Sequence, residues 1–98
     1  MKALGALNPV LEHRIRLAIC VLLAKYGEIS FSRFKQQLAV TDGNLGAQLR
    51  RLEEQGFIDP RKALMERKPV TWYRLTTEGR QALEQHLGAL QQLISTLD

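Results

Sequence analysis

The chain has 98 residues, 45% of them hydrophobic and 24% charged, with a formal net charge of +4. That suffices for one domain with one core, and the composition excludes a disordered chain. The longest apolar run, Leu17 to Ala24, falls short of the ~18 residues of a membrane span, and the single Cys20 excludes an internal disulfide.

The first residues lack the charged, apolar, then small pattern of a signal peptide, so the expected location is cytoplasmic, with no membrane contact. Asn8-Pro9 predicts the start of the first helix, over 8–25: Asn8 caps it, Pro9 suits its first position, and Leu11, Ile15, Ile19, Leu22 and Leu23 recur at helical spacing up to Gly27. Glu28-Ile29-Ser30 reads as a short extended link. Ser30 or Ser32 then caps a short helix with the apolar stripe Phe31, Phe34 and Leu38. Ala39-Val40 is a tight turn, Thr41 caps a third helix reaching about Gln55, and Gly56 closes it, so 31–56 forms a helix-turn-helix.

The segment 57–75 is richer in β-branched and aromatic residues. It predicts a hairpin with strands Phe57–Ala63 and Val70–Leu75 around a longish charged loop, Leu64 to Pro69. With Leu75 placed inward, Tyr73 joins it in the core and Trp72 takes the opposite face. Thr76 or Thr77 starts the last helix, over 77–97, which carries Leu83, Leu87, Leu90, Ile94 and Leu97 at alternating spacings of four and three. The expected fold is therefore a single domain over 1–98, mainly α with a β-hairpin: a winged helix-turn-helix in the order α-α-α-β-β-α, with an extended C-terminal dimerisation helix.

With Leu45, Leu49 and Leu52 turned to the core, the opposite face of the third helix presents Gly43, Asn44, Ala47, Arg50, Arg51 and Glu54, with Gln48 on one flank. Amide and guanidinium groups suit reading of base edges, but a solvated bundle helix would look similar. The hairpin tips the balance. Arg61, Lys62, Arg67 and Lys68 are opposed there only by Glu66, and phosphate contacts need such a basic loop. Two glycines in the third helix each cost about 1 kcal/mol relative to alanine. Gly43, on the outward face, would let the helix N-terminus approach a phosphate or base edge, whereas Gly46, on the flank, is expected to allow close packing of the second helix.

The chain resembles the winged-helix transcriptional regulators of the MarR and ArsR type, especially the short group that is little more than the winged helix. "VTDGNLGAQLRRLEEQGFI" (Val40 to Ile58), "RKPVTWYRLTTEGRQAL" (Arg67 to Leu83) and "NPVLEHRIRLAICVLLA" (Asn8 to Ala24) carry the resemblance, in the right order over nearly the whole chain. It implies a homodimeric DNA-binding regulator with the third helix in the major groove. By position, Thr41, Asp42, Gly43, Asn44, Gln48 and Arg51 would face DNA, and Lys62, Arg67 and Lys68 would be the wing contacts. Gly46-Ala47-Gln48 departs from the family, which has a more polar segment such as Ser-x-His there. That departure bears on the DNA sequence read more than on DNA binding.

The leucine seam of the last helix outruns a winged helix beyond about Gly88 and needs a partner. Leu4, Leu7 and Leu11 show the same spacing, so terminal helices of two chains are expected to pair through Leu4, Leu7, Leu11, Leu87, Leu90, Ile94 and Leu97. Leu83 should serve its own core. Cys20 reads as a small buried hydrophobe. His13 and His86 are far apart, and no spacing suits a metal, a cofactor or a catalytic pair, so neither a metal site nor an enzyme is expected. The expected function is a sequence-specific DNA-binding regulator, a repressor on a pseudo-palindromic operator of double-stranded DNA. The competing reading is a protein-interaction module. A small-molecule effector would have to sit between the dimer helices and the winged helix.

Overall fold

A computed structural model describes residues 1–98 and orders them as α1 (Lys2–Ala6), α2 (Arg14–Tyr26), β1 (Glu28–Ser30), α3 (Phe31–Leu38), α4 (Asp42–Glu54), β2 (Ile58–Met65), β3 (Lys68–Leu75) and α5 (Thr77–Ser95). This is the winged-helix order, with the short α1 added in front and β1 added as a third strand. Side-chain caps start four of the helices, three of them through a hydroxyl. Ser30 Oγ accepts from the Arg33 N–H (3.2 Å), Thr41 Oγ1 from the Asn44 N–H (3.1 Å) and Thr76 Oγ1 from the Gly79 N–H (2.9 Å), each contributing about 1 kcal/mol. Gly56 takes φ +73° and ends α4 in a Schellman pair: its N–H reaches the Glu53 carbonyl, and that of Phe57 reaches Leu52.

The first helix begins later than the Asn8-Pro9 signal predicts. Asn8 Oδ1 accepts the Val10 N–H (2.9 Å) and its carbonyl accepts from Leu11 and Glu12, but only one turn forms. The turn is pinned from outside: the Asn8 N–H donates to His86 Nδ1 (2.9 Å), and Arg16 Nε donates to the Val10 carbonyl (2.6 Å). The helix then restarts at Arg14 with His13 as its cap, Nδ1 accepting the Ile15 and Arg16 N–H groups. Burial, and then the nearby Arg16 and Arg14 charges, hold the His13 pKa below the ordinary value, which keeps that acceptor free of a proton.

The sheet order is β1-β3-β2, all antiparallel. The Glu28-Ile29-Ser30 link is thus a strand: Ile29 stands opposite Tyr73 on β3, with Pro60 of β2 on its far side. Tyr73 is buried and packs near Phe34, with ring centroids 6.3 Å apart, while Trp72 takes the other face. The longish loop expected between the strands is a two-residue turn. Met65 pairs with Lys68, and Glu66 and Arg67 both have positive φ (52° and 67°), the handedness that matches the twist of a hairpin.

The core collects Ile19, Cys20 and Leu23 of α2, Phe34 of α3, Leu45, Leu49 and Leu52 of α4, Ile29, Ile58 and Tyr73 of the sheet, and Leu83 of α5. A fully buried Leu, Ile or Phe contributes about 1.5–3 kcal/mol. Cys20 is one of these packed groups, and burial pushes its thiol pKa up to about 12. Helix α1 lies against α5 of its own chain, covering Ala3 and Ala89. No helix is long and apolar enough to cross a membrane.

Candidate nucleic-acid interface

Three buried leucines fix the orientation of α4, so its outer face is set by the core. Thr41, Asp42, Gly43, Asn44, Ala47, Arg50, Arg51 and Glu54 are all exposed on it. Five of the residues expected at DNA (Thr41, Asp42, Gly43, Asn44 and Arg51) therefore share one surface. Gln48 does not join them. It is half-buried, its Oε1 accepts from Arg16 Nη1 (2.7 Å), and its Nε2 donates to Asn44 Oδ1 (3.0 Å). Arg16 thus orients Asn44 through Gln48 and leaves the Asn44 NH₂ without a partner in the chain. No sequence pattern signals this relay, because Arg16 lies among the apolar repeats of α2.

Asp42 sits at the first position of α4, where a carboxylate favours the helix dipole but would repel phosphate. Lys35 of α3 pairs with it (2.6 Å) and cancels that charge. Lys35 escapes a reading of the sequence because its partner lies across the turn. The glycines of α4 differ from expectation in one respect. A Cβ would meet nothing at either Gly43 or Gly46, so close packing does not explain Gly46. Its neighbour helix stands too far away for the missing side chain to matter. The glycine that does allow a close approach is Gly79, where a Cβ would collide with the Phe57 carbonyl.

The wing also loses one of its four cations. Arg61 reaches across β3 to Glu28 of β1 in a two-pronged ion pair, Nε–Oε2 3.1 Å and Nη2–Oε1 2.7 Å, which holds the Glu28 carboxyl below its ordinary range. Lys62, Arg67 and Lys68 remain exposed and form no ion pair. They lie on the outer half of the ribbon, beyond the last rung that β1 covers.

The fold that sets this ribbon beside this helix is shared with known proteins. Residues 15–94 match the winged helix DNA-binding domain family. The chain belongs to that family. A relative in Methanocaldococcus jannaschii, an uncharacterised protein, is 31% identical over 84 residues, which is 86% of this chain and 91% of its own. The solved transcriptional regulator homologue of Pyrococcus horikoshii superposes with a TM-score of 0.91 at 29% identity, over 100% of this chain and 99% of that one. Bacillus subtilis PadR, solved in complex with operator DNA, gives a TM-score of 0.69 at 26% identity, over 76% of this chain and 47% of PadR. The protein is a DNA-binding regulator of the winged-helix type.

The set of residues expected at a dimer contact splits in this winged helix. Leu11 is fully buried in the chain's own core, so it has no surface for a partner. The turn after Asn8 folds it inward instead of along a terminal helix. Leu4, Leu87, Ile94 and Leu97 are 63%, 40%, 66% and 86% exposed. Leu7 and Leu90 are half-buried. A cleft of about 450 Å³ opens between α1 and α5, bordered by Leu7, Pro9, Ala82, Gln85 and Gln92.

Proposed function

We propose that the protein is a homodimeric repressor that reads a pseudo-palindromic operator with α4 in the major groove and lays the β2–β3 wing on the phosphate backbone. The observation that carries this reading is the outer face of α4. It carries polar or charged side chains at Thr41, Asp42, Asn44, Arg50, Arg51 and Glu54, its one N-terminal carboxylate is neutralised by Lys35, and Lys62, Arg67 and Lys68 stand free on the adjoining ribbon. The operator complex of the similar PadR supports it. Asn44 and Arg51 read bases, Gln48 acts by positioning Asn44, and the wing cations supply affinity without sequence preference. The apolar outer face of α5, with Leu4 beside it, supports pairing of two chains. A genomic partner of this kind implies a cytoplasmic location.

Selection of bound duplexes from random DNA, followed by binding of the winner across a salt series, tests the reading. Changing Arg67 and Lys68 together to alanine should weaken all sequences alike and lower the salt slope of the dimer by nearly four, about 0.9 for each phosphate left unneutralised by its two wings. Asn44→Ala should instead relax base preference at one position by about 1–3 kcal/mol. Affinity indifferent to salt and to both variants would leave α4 as a protein-docking helix.

A further inference from the structure

Beyond the last rung covered by β1, the core face of the hairpin runs on with nothing over it. Lys62 and Thr71 form the next rung on that face, and Leu64 and Pro69 the one after. Leu64 is 73% exposed, and Met65, on the opposite face, is 51% exposed. Neither side chain belongs to the core cluster or packs against it. The tip therefore holds three apolar side chains in water, surrounded by Lys62, Arg67 and Lys68 against the single carboxylate of Glu66.

We infer that Leu64, backed by Pro69, is a wedge that enters the DNA minor groove and opens a base step, so that the protein bends its operator. This rests on the DNA-binding reading above and adds an apolar contact to it. Leu, Met and Pro are the side chains that partly unstack base steps in this way, and the resulting kinks run to tens of degrees. The turn at Glu66-Arg67 is as short as a hairpin allows, so the ribbon ends two strands wide, about 4.8 Å between strands. The whole ribbon is wider than an unbent minor groove of about 6 Å, so only the side chains of its tip would enter, and the groove must open to take them, as it does where a step unstacks and the duplex kinks. The charges select the occupant: three free cations fit phosphates on either rim, whereas a second copy docked tip to tip would set cations against cations. The wedge also has a sequence consequence without any hydrogen bond to a base. Pyrimidine–purine steps such as TpA and CpA open most easily, so they should be favoured where the tip lands.

The experiment uses the full chain and a duplex selected by the wild-type protein, labelled at both ends for energy transfer. Wild type should shorten the end-to-end distance. Leu64→Ser should bind with an unchanged salt slope, leave the duplex straight, and on reselection lose the TpA and CpA preference at the flanks. Arg67→Ala should keep the bend and lose about two units of slope, one from each wing of the dimer. At so exposed a position, serine leaves the fold intact, which the unfolding midpoint of the variant checks. A straight duplex under wild type, or an equal bend under Leu64→Ser, overturns the wedge and leaves DNA binding standing. A change in oligomeric state in Leu64→Ser with the bend unchanged assigns the patch to self-association and also overturns it. Failure of wild type to bind any selected duplex removes the DNA reading and the wedge together.

Discussion

Glycine at position 79 and glycine at position 46 look alike in the sequence, each inside an amphipathic helix, yet the structure gives them opposite roles. A side chain at Gly79 would strike the Phe57 backbone, which has no room to yield because its carbonyl also accepts the Thr76 N–H (3.0 Å). Gly79→Ala should therefore destabilise by about 3 kcal/mol. Gly46→Ala meets open space in a helix interior and should stabilise by about 1 kcal/mol. Urea midpoints of the two variants, moved in opposite directions, check both. Periodicity places a glycine on a helix face, but it does not say what backbone from elsewhere in the chain passes over it. The same blindness hid Lys35 and Arg16. The signal that Asp42 and Gln48 have partners lies in the crossing of α4 with α3 and α2, not in any spacing along the chain.

Within elements, the sequence was legible wherever one residue carries a local job. Ser30, Thr41 and Thr76 cap the helices as the patterns say, and Gly56 ends α4. It misled where local signals compete with tertiary ones. Asn8-Pro9 starts a turn and not a helix, because His86 and Arg16 hold the turn in place. Glu66-Arg67 makes a tight turn without the Asn-Gly signal, so charged residues there read as a loop. At this scale the Arg61–Glu28 pair joins the two outer strands over β3. Glu28 has a depressed pKa, so its contribution is present above the ordinary value of 4.5 and is lost as pH falls through the lower folded value. Arg61→Ala should remove that acid-side loss: wild type and variant should differ in thermal midpoint above pH 4.5 and converge as the pH falls through the depressed folded value. Parallel pH curves would mean that the pair contributes nothing.

The whole molecule is elongated, 53 × 26 × 21 Å, with the wing and the terminal helices extending beyond the core. Leu87 and Ile94 on α5 and Leu97 just past its end are exposed apolar side chains, while Leu83, His86 and Ala89 on the same helix are buried. Sedimentation should give a dimer at micromolar concentration, and Ile94→Glu with Leu97→Glu should give a folded monomer whose affinity for one half-site is kept and for the full site is lost. A monomeric wild type would leave the outer stripe without this role. The sequence announced the stripe but counted Leu11 in it, since spacing alone does not tell a leucine folded inward from one facing out.

The joint at Gly79 reaches further than stability. The Thr76 hydroxyl donates to the Gly56 carbonyl (2.6 Å), and the Phe57 carbonyl lies against Gly79, so the end of α4 and the start of α5 are clasped over a few residues. A pair of chains joined along α5 would then carry its two reading helices like the jaws of a locked calliper. Such a device measures the distance between half-sites as strictly as it reads their letters. A single base pair inserted at the operator centre would turn one jaw away from its groove.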